Sequence, residues 1–230
     1  MKLFLCGGGS GKQIKYALNK FASSINKDKP ILYIPLAMNE DKYDDCKKWF
    51  ASESEMMGID KFDMVRSSKE LSEKDFEKYS ALFIGGGNTF KLLEEIKKNS
   101  NFDKIKTYLK NDGIVFGGSA GAIIFGSNIN SCLLDDKNIV NLKDCDGFNY
   151  LNGYSILCHL NNQNFKNNFK YLKEFSKKNK TIYLPEEDVI ILSDNKINFI
   201  GEKKYIIFDG GKYVIHNFAN IKKDINNNKN

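Results

Sequence analysis

Within Gly113 to Ile124, GIVFGGSAGAII, a short apolar run leads into a glycine pair, one serine and a series of small residues that opens a helix. Gly117, Ser119 and Gly121 give the G-x-S-x-G spacing, which holds a hydroxyl on a sharp strand-to-helix turn and pushes it clear of the backbone. Glycine suits such a turn because a β-carbon would collide with the neighbouring strand and helix. A helix starting after Ser119 aims unbonded N–H groups and the positive end of its dipole at anything bound beside the hydroxyl. Ser119 is therefore a candidate nucleophile. The competing reading of the five residues alone is a glycine-rich turn that packs a helix on a sheet.

A serine nucleophile needs a base, and the chain holds two histidines, His159 and His216. His159 follows the apolar run YSILC, whereas His216 lies in a terminal hairpin after a DGGK turn, where a peripheral side chain is expected. Glu186, in LPEE, can orient the imidazole and stabilise its protonated form, with Pro185 fixing the backbone before it. Asp135 and Asp136 are rival acids. Glu187 and Asp188 read as solvated neighbours. The oxyanion of an acyl transfer would be held by the backbone N–H of Ala120 and by one from the glycine loop at Gly85 to Asn88, with Gly87 the expected donor. Asn88 caps the next helix or lines the pocket.

These residues need elements that bring them together. Lys2 to Cys6 reads as a strand, followed by GGGSGK and a helical pattern to Ala22. The lysine after glycines invites a phosphate-loop reading, but Cys6 stands where that motif needs glycine and Gln13 where it needs Ser or Thr. A tight turn at a pocket rim is the better reading. Ile31 to Pro35 is a second strand, and Asp41 to Met57 a long helix with Trp49 and Phe50 facing inward. Ile59 to Val65 gives a short strand, and Ser72 to Tyr79 a short helix opened by Ser72, with Glu73 and Asp75 in its first turn. A strand at Ala81 to Ile84, helices from Thr89 to about Asn99 and from Phe102 to Asn111, and a strand at Gly113 to Phe116 lead to Ser119. Tyr154 to Cys158 and Thr181 to Leu184 are strands, separated by a helix over Phe165 to Lys178 whose Phe165, Phe169, Leu172 and Phe175 form a core stripe. The remainder has the rhythm of an antiparallel meander. Alternating strands and helices imply right-handed crossovers and a mainly parallel sheet with helices on both faces. In such sheets ligands bind beyond the carboxyl ends of the strands, the positions of Ser119, His159, Glu186 and the glycine loop.

A length of 230 residues accommodates one sizeable core, so a single domain over 1–221 is expected, with a polar, frayed tail at 222–230. No apolar run reaches the length of a membrane span and no secretory leader is visible, which leads to the expectation of a cytoplasmic protein with no membrane partner. Five scattered cysteines without a C-x-x-C pair argue against a disulfide framework and a zinc site. The net charge of +6 comes from dispersed lysines, with Arg66 the single arginine, a pattern unlike a nucleic-acid reader.

The segments GGGNTFKLL, GGSAGA, a strand-final histidine and LPE, in this order, resemble aspartyl dipeptidase (peptidase E) and its relative cyanophycinase, serine peptidases of an unusual α/β class. The resemblance spans about Ala81 to Glu186. It implies a flavodoxin-like, class I glutamine amidotransferase-like three-layer α/β sandwich with a C-terminal antiparallel meander. It also implies a Ser, His, Glu triad on Ser119, His159 and Glu186, the acid assigned between Ser and His falling on Asp136, or on Asp135 with a shifted gap. No cofactor or metal is implied, and the expected state is monomer or homodimer. One departure stands out. Aspartyl dipeptidases carry arginine after the histidine, whereas NNQNFKNNFK has none; Lys166 or Lys170 offers charge without the forked geometry, so a preference for N-terminal Asp lacks its usual basis.

Three functions follow as expectations. The first is a serine exopeptidase acting on short peptides through an acyl-enzyme on Ser119, with His159 as general base. The second is an α/β-hydrolase-type esterase using His216 with Asp188 or Asp194. The third is a catalytically silent binding module on the same fold.

Overall fold

Strands and helices alternate through the first half of the chain: β1 (Lys2–Cys6), α1 (Lys15–Ala22), β2 (Ile31–Ile34), α2 (Tyr43–Met56), β3 (Phe62–Met64), α3 (Ser68–Glu73), β4 (Ala81–Ile84), α4 (Thr89–Lys97), α5 (Asn101–Lys110) and β5 (Ile114–Gly118). They are followed by α6 (Ala120–Ile123), β6 (Ser155–Leu160), α7 (Asn162–Phe175), β7 (Thr181–Pro185), β8 (Val189–Ser193), β9 (Lys196–Ile200), β10 (Tyr205–Asp209) and β11 (Lys212–His216). The computed structural model describes residues 1–194 and 196–217; the polar tail expected at 222–230 lies outside them.

A seven-stranded sheet has the order β3-β2-β4-β5-β1-β8-β9. Its first five strands are parallel, and β8 and β9 continue it in antiparallel sense from β1. Alternating side chains along each strand feed two cores, as the pleat requires. Phe4 of β1, Tyr33, Phe83 and Phe116 join Phe21 of α1 and Phe50 of α2 on one face. Leu3, Leu5, Leu82 and Ile84 join Leu93 of α4 and Leu109 of α5 on the other. With helices against both faces the architecture is a three-layer α/β sandwich.

The C-terminal strands do not form one meander. Each adjacent pair is an antiparallel hairpin, but the pairs are dealt to different sheets: β8–β9 extends the main sheet through β1, whereas β10–β11 joins β7 and β6 in a four-stranded sheet of order β11-β10-β7-β6. The reason is burial. Val189 and Ile190 are fully buried and Ile191 and Leu192 nearly so, which suits a strand covered on both faces beside β1, while β11 is exposed over most of its length.

Two helix starts differ from expectation. α3 opens at Ser67, whose side chain accepts from Glu70 N at 3.1 Å, while Glu70 accepts from Arg66 N at 2.7 Å. Ser72 is therefore internal, and Asp75 caps a separate 3-10 turn at Phe76–Lys78. α7 starts three residues earlier than the phenylalanine pattern indicates, because Asn161 accepts from Gln163 N and Asn164 N at 3.0 and 2.9 Å. In its stripe only Leu172 is fully buried; Phe165, Phe169 and Phe175 are half-buried.

Candidate active site

β5 delivers Ser119 to the carboxyl edge of the main sheet in a strained conformation, φ 52° and ψ −113°. The strain is held from both sides: Ser119 N donates to Cys6 O at 3.0 Å, and Ser119 O accepts from Ala122 N and Ile123 N at 2.8 and 2.9 Å. The flanking glycines permit the close approach. A β-carbon on Gly117 would lie 2.2 Å from Gly121 O, and one on Gly121 would lie 2.2 Å from Ile84 O.

His159 rides near the end of β6 and Glu186 immediately follows β7, so the second sheet supplies both. His159 has φ 61°; its N–H donates to Gly7 O at 3.1 Å, and its carbonyl accepts from Asn164 Nδ2 at 2.9 Å. The ring bridges two partners, Nε2 lying 2.7 Å from Ser119 Oγ and Nδ1 2.8 Å from Glu186 Oε1. A carboxylate at Glu186 can only accept, so a neutral ring carries its proton on Nδ1 and offers the Nε2 lone pair to the Ser119 hydroxyl. The His159 and Glu186 side chains are 37% and 41% exposed, open enough for a ligand to reach them. The first glycine loop presses on the imidazole from β1, since a β-carbon at Gly8 would sit 2.5 Å from His159 Cε1.

The second glycine loop flanks the hydroxyl. A β-carbon on Gly86 would lie 3.2 Å from Ser119 Cβ, and Gly87, at φ 136°, turns toward Ala37 O. Among the described residues the N–H groups of Gly86, Gly87 and Ala120 have no protein hydrogen-bond partner. Of the two loop glycines Gly86 is the one that abuts Ser119, whereas Gly87 abuts Ala37 and Met38, a choice between adjacent glycines that the sequence offered no way to make.

The other candidates are engaged elsewhere. Asp136 accepts from Thr89 N and Oγ1 at 2.9 and 2.5 Å, and Asp135 accepts from the buried Asn168 at 3.0 and 3.1 Å. Both line the cleft, but the Nδ1 of His159 turns to Glu186. Asn88 caps α4 through Lys91 N at 2.9 Å and reaches Lys137 O at 2.8 Å. Lys166 and Lys170 are exposed on α7 and are not brought to the cleft. His216 stacks on Tyr205 at 5.2 Å in the terminal hairpin, away from Ser119.

Asp188 is not solvated as expected. It is only 2% exposed, wedged where a β-carbon on Gly201 would fall 1.9 Å from its Oδ1, and it accepts from Glu202 N at 3.2 Å. Burial raises its pKa to about 7. Glu187 stays half-exposed and pairs with Lys203 at 2.9 Å, while Asp194 occupies a left-handed turn between β8 and β9.

The five cysteines are free and buried. Burial pushes the Cys6 thiol, in the cleft wall, up to about 12, so it is no competing nucleophile. No group of three metal-ligating side chains is poised to hold an ion among the described residues, and no helix among them is long and apolar enough to cross a membrane. The cleft has a volume of about 630 Å3, with Ser119 and His159 on its wall. It also includes Tyr33, Met38 and Trp49, which sequence reasoning assigned to the core or left aside; their position at and beyond the carboxyl end of β2 was the available signal.

The chain and its fold resemble known proteins. An uncharacterized peptidase of Listeria monocytogenes is 28% identical over 202 residues, covering 86% of this chain and 94% of that protein. Proteins named Peptidase E are 27% identical over 203 residues in Nostoc sp. (84% of this chain, 80% of that protein) and 26% over 189 residues in Haemophilus influenzae (79% and 84%). The fold matches the crystal structure of a peptidase from an acI-B1 Actinobacterium, with a TM-score of 0.73 and 17% identity over 94% of this chain and 93% of that one. Residues 3–200 match the model of Peptidase family S51, and the chain belongs to that family of serine peptidases.

Proposed function

We propose that the chain is an exopeptidase that hydrolyses short peptides through an acyl-enzyme on Ser119. The observation that carries this reading is the unbroken relay from Ser119 Oγ through His159 to Glu186, at 2.7 and 2.8 Å. His159 Nε2 takes the hydroxyl proton as Oγ attacks the peptide carbonyl carbon. The carbonyl oxygen becomes an oxyanion facing the N–H groups of Ala120 and of Gly86 or Gly87. On collapse the C–N bond breaks and the amine leaves with the proton from His159; a water then attacks the ester by the same steps reversed. Glu186 holds the ring and its positive charge in between. The cleft of about 630 Å3 and the relatives named Peptidase E support a substrate of a few residues.

Hydrolysis of a dipeptide and tripeptide library tests this. Ser119→Ala and His159→Ala should each lower kcat by about four to six orders of magnitude, and the double variant little further, because the groups act as a unit. Turnover surviving either change would defeat the assignment.

A further inference from the structure

Ser119 opens onto a cleft larger than a peptide carbonyl needs, and the lobe of its lining drawn from β2, α2, β4 and β5 is mainly aromatic. There Met38 and Trp49 are half-exposed, and the buried rings of Tyr33, Phe83 and Phe116 form the floor behind them. Stacking fixes these rings: Tyr33 lies on Phe50 at 4.3 Å and 9°, and Phe83 on Phe116 at 4.6 Å and 11°. Trp49 meets Tyr33 at 5.9 Å and Phe83 edge-on at 6.1 Å. A wall of rings held in stacked, tilted and edge-on arrangements is complementary to one more aromatic group.

The polar content of the lobe does not favour an anion. Its inner polar groups are the Tyr33 hydroxyl and the Cys46 thiol, both kept neutral because burial raises their pKa. At the rim stand one charge of each sign, Lys42 and Asp45, and Lys42 already lies 3.8 Å from Asp41. Arg66, the single arginine, is paired with Asp44 and does not line the cleft. A carboxylate entering here would lose hydration without gaining a bidentate partner, whereas an apolar side chain gains from leaving water.

Resting on the reading of Ser119 as nucleophile, we propose that this lobe is the specificity pocket, and that it selects peptides with an aromatic or bulky aliphatic residue beside the scissile bond over acidic ones. Two measurements test it separately. In the first, Phe-Ala, Leu-Ala, Ala-Ala and Asp-Ala and their reversed sequences are compared as substrates. The Phe or Leu member should exceed its Ala counterpart by about 10- to 100-fold in kcat/KM, and Trp49→Ala or Met38→Ala should collapse that ratio toward one. Both positions are half-exposed, so neither truncation empties the core.

The second measurement does not need turnover. Trp49 is the sole tryptophan, so its fluorescence in the Ser119→Ala protein reports directly on the lobe. Phe-containing dipeptides should shift it saturably at concentrations at least 10-fold below those Asp-Ala requires. Absence of any Ser119-dependent hydrolysis together with a saturable Phe-selective shift would remove the peptidase reading and keep the pocket. Preferred cleavage of Asp-Ala, abolished by Lys42→Ala, would overturn the pocket and keep the peptidase, as would a fluorescence signal indifferent to the side chain.

Discussion

Two acids separated by one residue, Glu186 and Asp188, have opposite situations, and each makes a prediction. Glu186 is partly exposed and bonded to the imidazole at 2.8 Å. Glu186→Gln keeps the size but can present an amide N–H where Nδ1 needs an acceptor, favouring the wrong tautomer. A fall in kcat of about 10²- to 10⁴-fold is expected, with the fold unchanged by circular dichroism. Asp188 is buried and its folded pKa, about 7, lies above its ordinary value. Between roughly pH 4 and 7 the folded state therefore binds more protons than the unfolded state, so this residue makes stability fall as pH rises through that window. Asp188→Asn should flatten that fall by about 2 kcal/mol between pH 5 and 8, measured by urea denaturation. Equal pH slopes in the two proteins would refute it. The first acid was legible in sequence because it closes a strand, where side chains gather at the edge of an α/β sheet. The second was not, because its burial depends on the close approach of Gly201, thirteen residues away and in a different turn.

At the level of elements, the neighbouring strands β1 and β5 end side by side under the candidate site, β5 presenting Ser119 and the loop after β1 pressing on His159. The loop after β1 has no room for a side chain: a β-carbon at Gly8, at φ 132°, would strike His159 Cε1 and Nδ1 at 2.5 and 2.6 Å. Gly8→Ala should therefore swing the imidazole off Ser119 and lower kcat by about 100-fold or more, while destabilising the fold by only about 1–3 kcal/mol. Activity within tenfold of the parent would show that the loop is not a buttress. Element types and most strand positions were readable from apolar runs and glycine punctuation, and the turn of GGGSGK was recognisable as a pocket rim. Which sheet each C-terminal hairpin joins was not. A hairpin is specified by its own turn, whereas its outer neighbour is chosen by long-range fit, here the match of the buried Val189–Leu192 run to β1.

Across the whole molecule, the candidate relay is shared between the two sheets: Ser119 follows β5 of the larger, and His159 and Glu186 come from β6 and β7 of the smaller. Its geometry then depends on how firmly the sheets are joined. They share one continuous core, in which Leu5 and Ile84 of the larger sheet and Ile156, Ile182 and Phe208 of the smaller belong to the same cluster. Leu172, fully buried in α7, is part of it. Leu172→Ala should cost about 2–5 kcal/mol through the cavity it leaves, which for a chain of this size lowers Tm by about 5–15 °C. Because the core is shared, loss of activity on heating should coincide with loss of far-UV signal in a single transition, in the parent and in the variant alike. Activity lost well before the far-UV signal in the variant would mean that the smaller sheet loosens by itself, and that the Ser119 to His159 distance is set by local loops instead of the common core.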